Sequence, residues 1–214
     1  MVNGVTFKVC GLTSASDAAA AVAAGADFLG FIFHPASPRH LEDDRFLRLR
    51  RDLPGVPRVA VCVAPEPARL ARLAEWGFDA YQVHCDGGEA TSAIDAWAGT
   101  VGRARLWLAP RLAPGELLPA AWLARADTFL LDSFHAGKFG GTGSTGDWAQ
   151  FRRWAGAYPE KRWILAGGLT PENVAAARAE TGARFLDVNS GVESAPGVKC
   201  GERLGALRRA LELS

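Results

Sequence analysis

Short apolar runs recur along the chain at regular intervals, and polar segments with helical character separate them. The runs are continuous rather than alternating, which is typical of parallel strands that are covered on both faces. They predict eight strands, one for about every 27 of the 214 residues. The predicted strands span residues 7–10, 28–33, 58–63, 80–84, 106–109, 128–132, 163–166 and 185–188.

A segment with helix signals follows each run. Thr170 and Pro171, for example, form a good N-cap and first-turn pair. The predicted helices span residues 18–24, 42–53, 67–76, 89–98, 114–124, 147–158, 170–181 and 201–213.

Eight strand–helix units predict an α/β fold of one domain over residues 1–214, the (β/α)8 or TIM barrel. A doubly wound open sheet is the alternative, but it would show its phosphate-binding glycines after the first strand, where a single Gly11 stands.

Composition and charge narrow the function classes. Hydrophobic residues make up 49% of the chain and charged residues 22%, which is typical of a soluble globular protein. A net charge of +1 gives no basic footprint for nucleic acid or an anionic membrane. The sequence shows neither an export leader nor a run of about 18 apolar residues. Four widely spaced cysteines favour reduced thiols, so we expect a cytoplasmic protein. A monomer or a homodimer is expected.

In a barrel the active site lies where the strands end at their C-terminal edge. Cys10 ends the first strand, and Lys8 shares its face because side chains alternate along a strand. A neighbouring cation favours the reactive thiolate, although a buried structural cysteine is the plainer interpretation. Asp132 ends the sixth strand, where burial would raise its pKa and suit it to proton donation. A capping aspartate is the alternative.

Glycines follow the seventh and eighth strands. Gly167 and Gly168 precede one predicted helix, and Ser190 and Gly191 stand in the same place one strand later. Such backbone can approach an oxyanion closely, and barrels often hold a substrate phosphate between these two loops. Tight turns are the alternative for each loop alone. Residues 137–143 form a glycine-rich segment that could close over a substrate or be only a surface loop.

Three further side chains are candidates. Pro38 follows Ser37 and presents Arg39, whose planar fork suits a carboxylate, although most such arginines are surface charges. His84 ends the fourth strand as a ligand, an acid–base group or a hydrogen-bonded support. Asp187 has the parity to reach the mouth of the barrel.

Several of these motifs, in this order, resemble the phosphoribosylanthranilate isomerases of tryptophan biosynthesis. The resemblance covers essentially the whole chain. It is carried by residues 8–13 (KVCGLT), 30–33 (GFIF), 37–39 (SPR), 130–133 (LLDS), 140–143 (GGTG), 165–174 (LAGGLTPENV) and 190–193 (SGVE).

The resemblance implies a cofactor-free Amadori rearrangement of N-(5-phosphoribosyl)anthranilate, a small phosphosugar–anthranilate substrate. It implies that Asp132 is the general acid and Cys10 the general base, with Arg39 on the anthranilate carboxylate. By the same resemblance Gly167, Gly168, Ser190 and Gly191 hold the phosphate, Gly141 and Gly143 belong to a covering loop, and Asp187 contacts substrate. The chain departs from the family pattern at Cys85, Gly146, Asn189 and Cys200.

Two other functions compete with this one. The first is another phosphosugar isomerase or epimerase on the same scaffold. A metal-dependent epimerase would need several histidine and acid ligands at strand ends, and only His84 and Asp132 are obvious candidates here, which argues against it. A binding protein without turnover would keep the glycine loops, but the presence of both Cys10 and Asp132 argues against it.

Overall fold

The computed structural model describes residues 1–112, 116–132 and 147–213. Eight parallel strands close into a barrel in chain order, and the last strand pairs with the first, so the predicted TIM barrel is confirmed. The strands are β1 (Thr6–Val9), β2 (Phe28–Ile32), β3 (Arg58–Val63), β4 (Ala80–Asp86), β5 (Leu106–Arg111), β6 (Thr128–Leu131), β7 (Arg162–Leu165) and β8 (Phe185–Val188).

Helices follow the strands on the outside. They are α1 (Ala15–Ala23), α2 (Asp43–Leu49), α3 (Pro67–Ala74), α4 (Thr91–Val101), α5 (Ala120–Leu123), α6 (Trp148–Ala157), α7 (Val174–Thr181) and α8 (Gly201–Glu212). No helix within the described ranges is long and apolar enough to cross a membrane.

Three predicted helix starts are wrong. The first helix was predicted from residue 18, but α1 begins at Ala15 behind its N-cap Ser14. Two others begin later than predicted. We expected a helix from Thr170, but α7 begins at Val174 because a turn comes first: Asn173 Oδ1 accepts from the Thr170 N–H at 2.8 Å, and Thr170 Oγ1 accepts from the Glu172 N–H at 3.2 Å. The helix predicted over residues 114–124 is the four-residue α5, and residues 116–119 before it are irregular.

The core has an outer and an inner part. The outer part lies between strands and helices, and the inner part fills the barrel, including Cys10. Three aromatic rings, those of Phe28, Trp107 and Phe185, contact one another inside the barrel with centroids 5.2 to 5.5 Å apart. Because they lie near the strand starts, they fill the end of the barrel opposite the mouth.

After β8 the chain forms structure that the apolar pattern did not predict. A short 3-10 helix, Ser190–Val192, leads into an antiparallel hairpin of β9 (Glu193–Ala195) and β10 (Val198–Lys199). This hairpin brings Glu193 and Lys199 to the mouth of the barrel.

Candidate active site

A cavity of about 690 Å³ opens at the C-terminal ends of the strands, within the size range of small-molecule sites. Most of the predicted site residues line it. They are Cys10, Arg39, Asp132, Gly167, Gly168, Asp187, Ser190 and Gly191. The two others, Gly141 and Gly143, lie outside the described residues.

Cys10 follows β1 directly and is 4% exposed. Burial raises the pKa of this thiol; the Lys8 charge opposes the increase, and Asp187 adds to it. The Lys8 charge therefore acts in the expected direction, towards the thiolate, but it does not decide the net change in the pKa of Cys10. Loss of hydration outweighs the favourable charge.

Lys8 and Asp187 form an ion pair inside the barrel. The register of β1 against β8 sets the two residues opposite each other, and Lys8 Nζ lies 2.9 Å from Asp187 Oδ2. Burial would lower the pKa of Lys8, but Asp187 and Cys10 together raise it. Burial raises the pKa of Asp187 despite the Lys8 charge. Lys8 thus stays a cation beside two acidic groups, Cys10 and Asp187, whose pKa values are both raised.

Asp132 is half-buried, directly after β6, and lines the cavity. In the closed barrel β7 and β8 separate β6 from β1, so the carboxyl group and the Cys10 thiol border the same space from different sides. An acid and a base can therefore act on different atoms of one bound molecule.

The two glycine loops meet between Asp132 and Cys10. Gly167 and Gly168 have φ values of 86° and 62°, a left-handed conformation that favours glycine. A Cβ on Gly191 would lie 1.9 Å from the backbone oxygen of Leu169. The loops after β7 and β8 therefore touch through bare backbone, and both border the cavity.

Arg39 is buried and bound to Glu193, which the sequence reasoning missed. Arg39 Nε donates to Oε1 at 2.9 Å and to Oε2 at 3.1 Å, and Nη2 donates to Oε2 at 2.6 Å. Lys199 Nζ donates to Glu193 Oε1 at 2.6 Å and to Asn189 Oδ1 at 2.9 Å. The Glu193 carboxylate thus lies between the Arg39 and Lys199 cations at the mouth of the barrel. One sign of its importance was visible in the sequence, namely that Glu193 ends the SGVE motif.

His84 hydrogen-bonds to a neighbour that also lines the cavity. Its Nε2 lies 2.8 Å from Gln82 Nε2. Burial, with the nearby Lys8 charge, lowers the pKa of His84 to about 4. The imidazole is therefore neutral at neutral pH, which agrees with a supporting role. Within the described part of the chain, no group of three or more His, Cys, Asp or Glu side chains is placed to hold a metal ion.

The positions that depart from the family pattern have different surroundings. Cys85 is fully buried in the outer core, and burial raises its pKa to about 12, so it serves as a small apolar side chain. Asn189 Oδ1 accepts a hydrogen bond from the Lys199 ammonium. Cys200 is half-buried at the start of α8, and Gly146 lies outside the described residues.

Fold and cavity define a (β/α)8-barrel protein with a polar site at the C-terminal mouth. The sequence profile of the N-(5'phosphoribosyl)anthranilate (PRA) isomerase family matches residues 7–207. The chain therefore belongs to this isomerase family.

Similar proteins agree with this assignment. The N-(5'-phosphoribosyl)anthranilate isomerase of Paracoccus denitrificans is 42% identical over 94% of each chain, and that of Rubrobacter xylanophilus is 39% identical over 91% of this chain and 93% of its own. The crystal structure of TrpF from Jonesia denitrificans is 35% identical, with a TM-score of 0.77 over 97% of this chain and 96% of its own. A phosphoribosyl anthranilate isomerase bound to reduced 1-(o-carboxyphenylamino)-1-deoxyribulose 5-phosphate is 28% identical, with a TM-score of 0.75 over 98% of this chain and all of its own.

Proposed function

We propose that this protein converts N-(5-phosphoribosyl)anthranilate into 1-(2-carboxyphenylamino)-1-deoxyribulose 5-phosphate, with Asp132 as general acid and Cys10 as general base. This is an intramolecular aldose–ketose isomerisation, and the mechanism uses no cofactor. The observation that carries the proposal is that Cys10, Asp132 and both glycine loops border one cavity of suitable size.

The reaction divides into two proton transfers. Asp132 gives its proton to the furanose ring oxygen, the bond from C1 to that oxygen breaks, and the anthranilate nitrogen lone pair forms an iminium at C1. The thiolate of Cys10 then removes the proton from C2, and the C–H electrons form the double bond of an enolamine. Tautomerisation of the enolamine gives the ketone. The iminium makes the C2 proton acidic enough for a thiolate to remove.

The substrate has two anionic ends, and the site offers a place for each. We assign the phosphate to the backbone of Gly167, Gly168, Ser190 and Gly191, where the two loops touch. Arg39 is assigned to the anthranilate carboxylate. Because Nε and Nη2 already bind Glu193, the substrate would meet the outer edge of the guanidinium. Asp187 is assigned a substrate contact, and Gly141 and Gly143 part of a covering loop.

The fluorescence decay of freshly prepared phosphoribosylanthranilate tests the function, with spontaneous hydrolysis subtracted. We expect Cys10→Ala and Asp132→Asn each to lower turnover by about 10²- to 10⁴-fold, the range for a positioned acid or base. Cys85→Ala is the matched control, because it removes a buried thiol that does not line the cavity. Near-full activity of either active-site variant would refute its assigned role, and binding of a product analogue without turnover by the unaltered protein would refute catalysis.

Three further properties belong to the proposal. We propose that residues 1–214 form one domain and that the protein works as a monomer or a homodimer. We also propose a cytoplasmic location, which the free state of the four cysteines supports.

A further inference from the structure

Lys8 is a cation with no exposed surface inside the barrel. Its Nζ lies 2.9 Å from Asp187 Oδ2, and the layer of Phe28, Trp107 and Phe185 lies towards the strand starts. Burial of a charge is costly unless it is paired, so a lysine in this position has to balance a negative charge. A methionine would fill similar space without that cost.

The surroundings of Gly30 show that Lys8 lies near Cys10 as well as Asp187. A Cβ at residue 30 would lie 3.1 Å from Cys10 Sγ and 3.1 Å from Lys8 Nζ, in addition to 3.0 Å from Cys10 Cα. Two atoms that are each 3.1 Å from one point cannot be farther apart than twice that distance. The missing side chain at residue 30 therefore leaves space beside both the ammonium and the thiol, which interact through charge and a hydrogen bond.

Two acidic groups compete for the charge of Lys8. Asp187 binds it through Oδ2, whereas Asp187 Oδ1 is buried and makes no hydrogen bond with the described residues. The pKa values of Cys10 and Asp187 are both raised by burial, and the charge of Asp187 raises the pKa of Cys10 further. Ionisation of one of the two groups, Cys10 or Asp187, is thus stabilised by Lys8, whereas ionisation of both is not.

The other charged or titratable groups around Cys10 do not replace Lys8. Lys199 on β10 lowers the pKa of Cys10, but as the last of the contributing effects, and its ammonium binds Glu193 and Asn189. His84 on β4 is neutral at neutral pH. Asp132 borders the same cavity from β6.

We propose that Lys8 is a positioning residue that holds one negative charge on the Cys10–Asp187 pair, so that Cys10 becomes a thiolate by passing its proton to Asp187. The Sγ–H bond of Cys10 breaks and an O–H bond forms at the carboxyl group of Asp187, while Lys8 keeps its proton. The net charge of the three groups stays at zero, so the barrel interior need not take up a new charge. The use of this thiolate as a base rests on the proposed function.

Alkylation of Cys10 by iodoacetamide tests the inference without any substrate. The folded protein is alkylated at a series of pH values and then digested, and the modified peptide is measured by mass spectrometry. Lys8→Met should shift the alkylation profile to higher pH and slow the reaction at neutral pH by about tenfold or more, the rate change for one pH unit. Asp187→Asn should shift the profile to lower pH, because Lys8 then balances the Cys10 thiolate alone and the thiol proton is released to the solvent. A structural defect would move both variants in the same direction.

The double variant Lys8→Met/Asp187→Asn separates charge from folding. It leaves no lone charge in the barrel, so its thermal stability should exceed that of Lys8→Met. Its thiol still lacks the cation, so it should remain less reactive than the thiol of the unaltered protein. An unchanged alkylation profile in Lys8→Met, or slower alkylation in Asp187→Asn, would overturn the inference. If Lys8→Met does not fold, Asp187→Asn and the double variant still decide it. If the protein has no isomerase activity but the two single variants still shift the alkylation profile in opposite directions, the proposed function is refuted and this inference stands.

Discussion

The guanidinium of Arg39 donates three hydrogen bonds of 2.6 to 3.1 Å to the carboxylate of Glu193, although the two residues are 154 positions apart in the chain. Lys199 binds the same carboxylate from the other strand of the hairpin. The group joins the turn after β2 to the hairpin after β8. It leaves one positive charge in excess beside a cavity to which we assign an anionic substrate.

Glu193→Gln should destabilise the protein strongly. The change leaves two buried cations without the carboxylate between them, and breaking a buried ion pair costs about 3 to 5 kcal/mol. Urea unfolding of the variant and of Glu160→Gln, which changes an exposed glutamate, provides the comparison. A loss no larger than that of Glu160→Gln would show that the group adds nothing to stability.

The same contact predicts a dependence on pH. Burial alone would raise the pKa of Glu193, but the Arg39 hydrogen bonds and the Lys199 charge outweigh it and hold the pKa below the usual 4.5. The carboxylate therefore contributes its full stability above pH 4.5, and this contribution is lost as the pH falls through the lower, folded-state pKa. The unfolding free energy of Glu193→Gln should fall less steeply in that acidic window than that of the unaltered protein.

Gly30→Ala should lower turnover with little effect on substrate affinity. The new methyl group would stand 3.1 Å from Cys10 Sγ and Lys8 Nζ, so one of the two has to move. Small displacements of a catalytic group cost up to about 10²-fold in rate. Steady-state kinetics should show the loss in kcat.

Gly99→Ala is the matched control, because nothing lies within 4 Å of its added methyl group and it lies inside α4. It should keep full activity and gain about 0.5 to 1 kcal/mol of stability. Equal kcat values for the two variants would mean that residue 30 does not space the thiol and the ammonium.

The barrel and most of its mouth could be predicted because they follow from local pattern. Each apolar run marks a strand, and a barrel brings the strand ends together, so Cys10, Asp132 and the glycine loops could be placed at one site. The Glu193–Lys199 contact could not, because a hairpin outside the apolar pattern creates it. The direction of the Cys10 pKa also escaped prediction, since the nearby Lys8 is visible in the sequence but the depth of burial is not.

Gly191→Ala should raise KM for the phosphorylated substrate by about tenfold or more. The methyl group would overlap the Leu169 backbone oxygen, so the two glycine loops would have to separate. Competition by inorganic phosphate should weaken in parallel, because the same backbone is assigned to the phosphate. Gly201→Ala, which meets nothing within 4 Å at the start of α8, controls for the loss of a glycine. Unchanged phosphate inhibition in Gly191→Ala would contradict the assignment.

His84→Asn should make the unfolding free energy fall less steeply as the pH is lowered into mild acid. The pKa of His84 is lowered from 6.5 to about 4, so between these values the unfolded chain binds a proton that the folded protein does not. Stability therefore rises with pH across this window, and the contribution of His84 amounts to at most about 3 kcal/mol. Asparagine can still hydrogen-bond to Gln82 but does not titrate, so the variant should lose less stability between pH 6.5 and pH 4. Parallel urea-unfolding series at several pH values measure the difference. Identical slopes for the two proteins would show that His84 takes up its proton as readily in the barrel as in the unfolded chain, and the lowered pKa assigned to His84 would then be wrong.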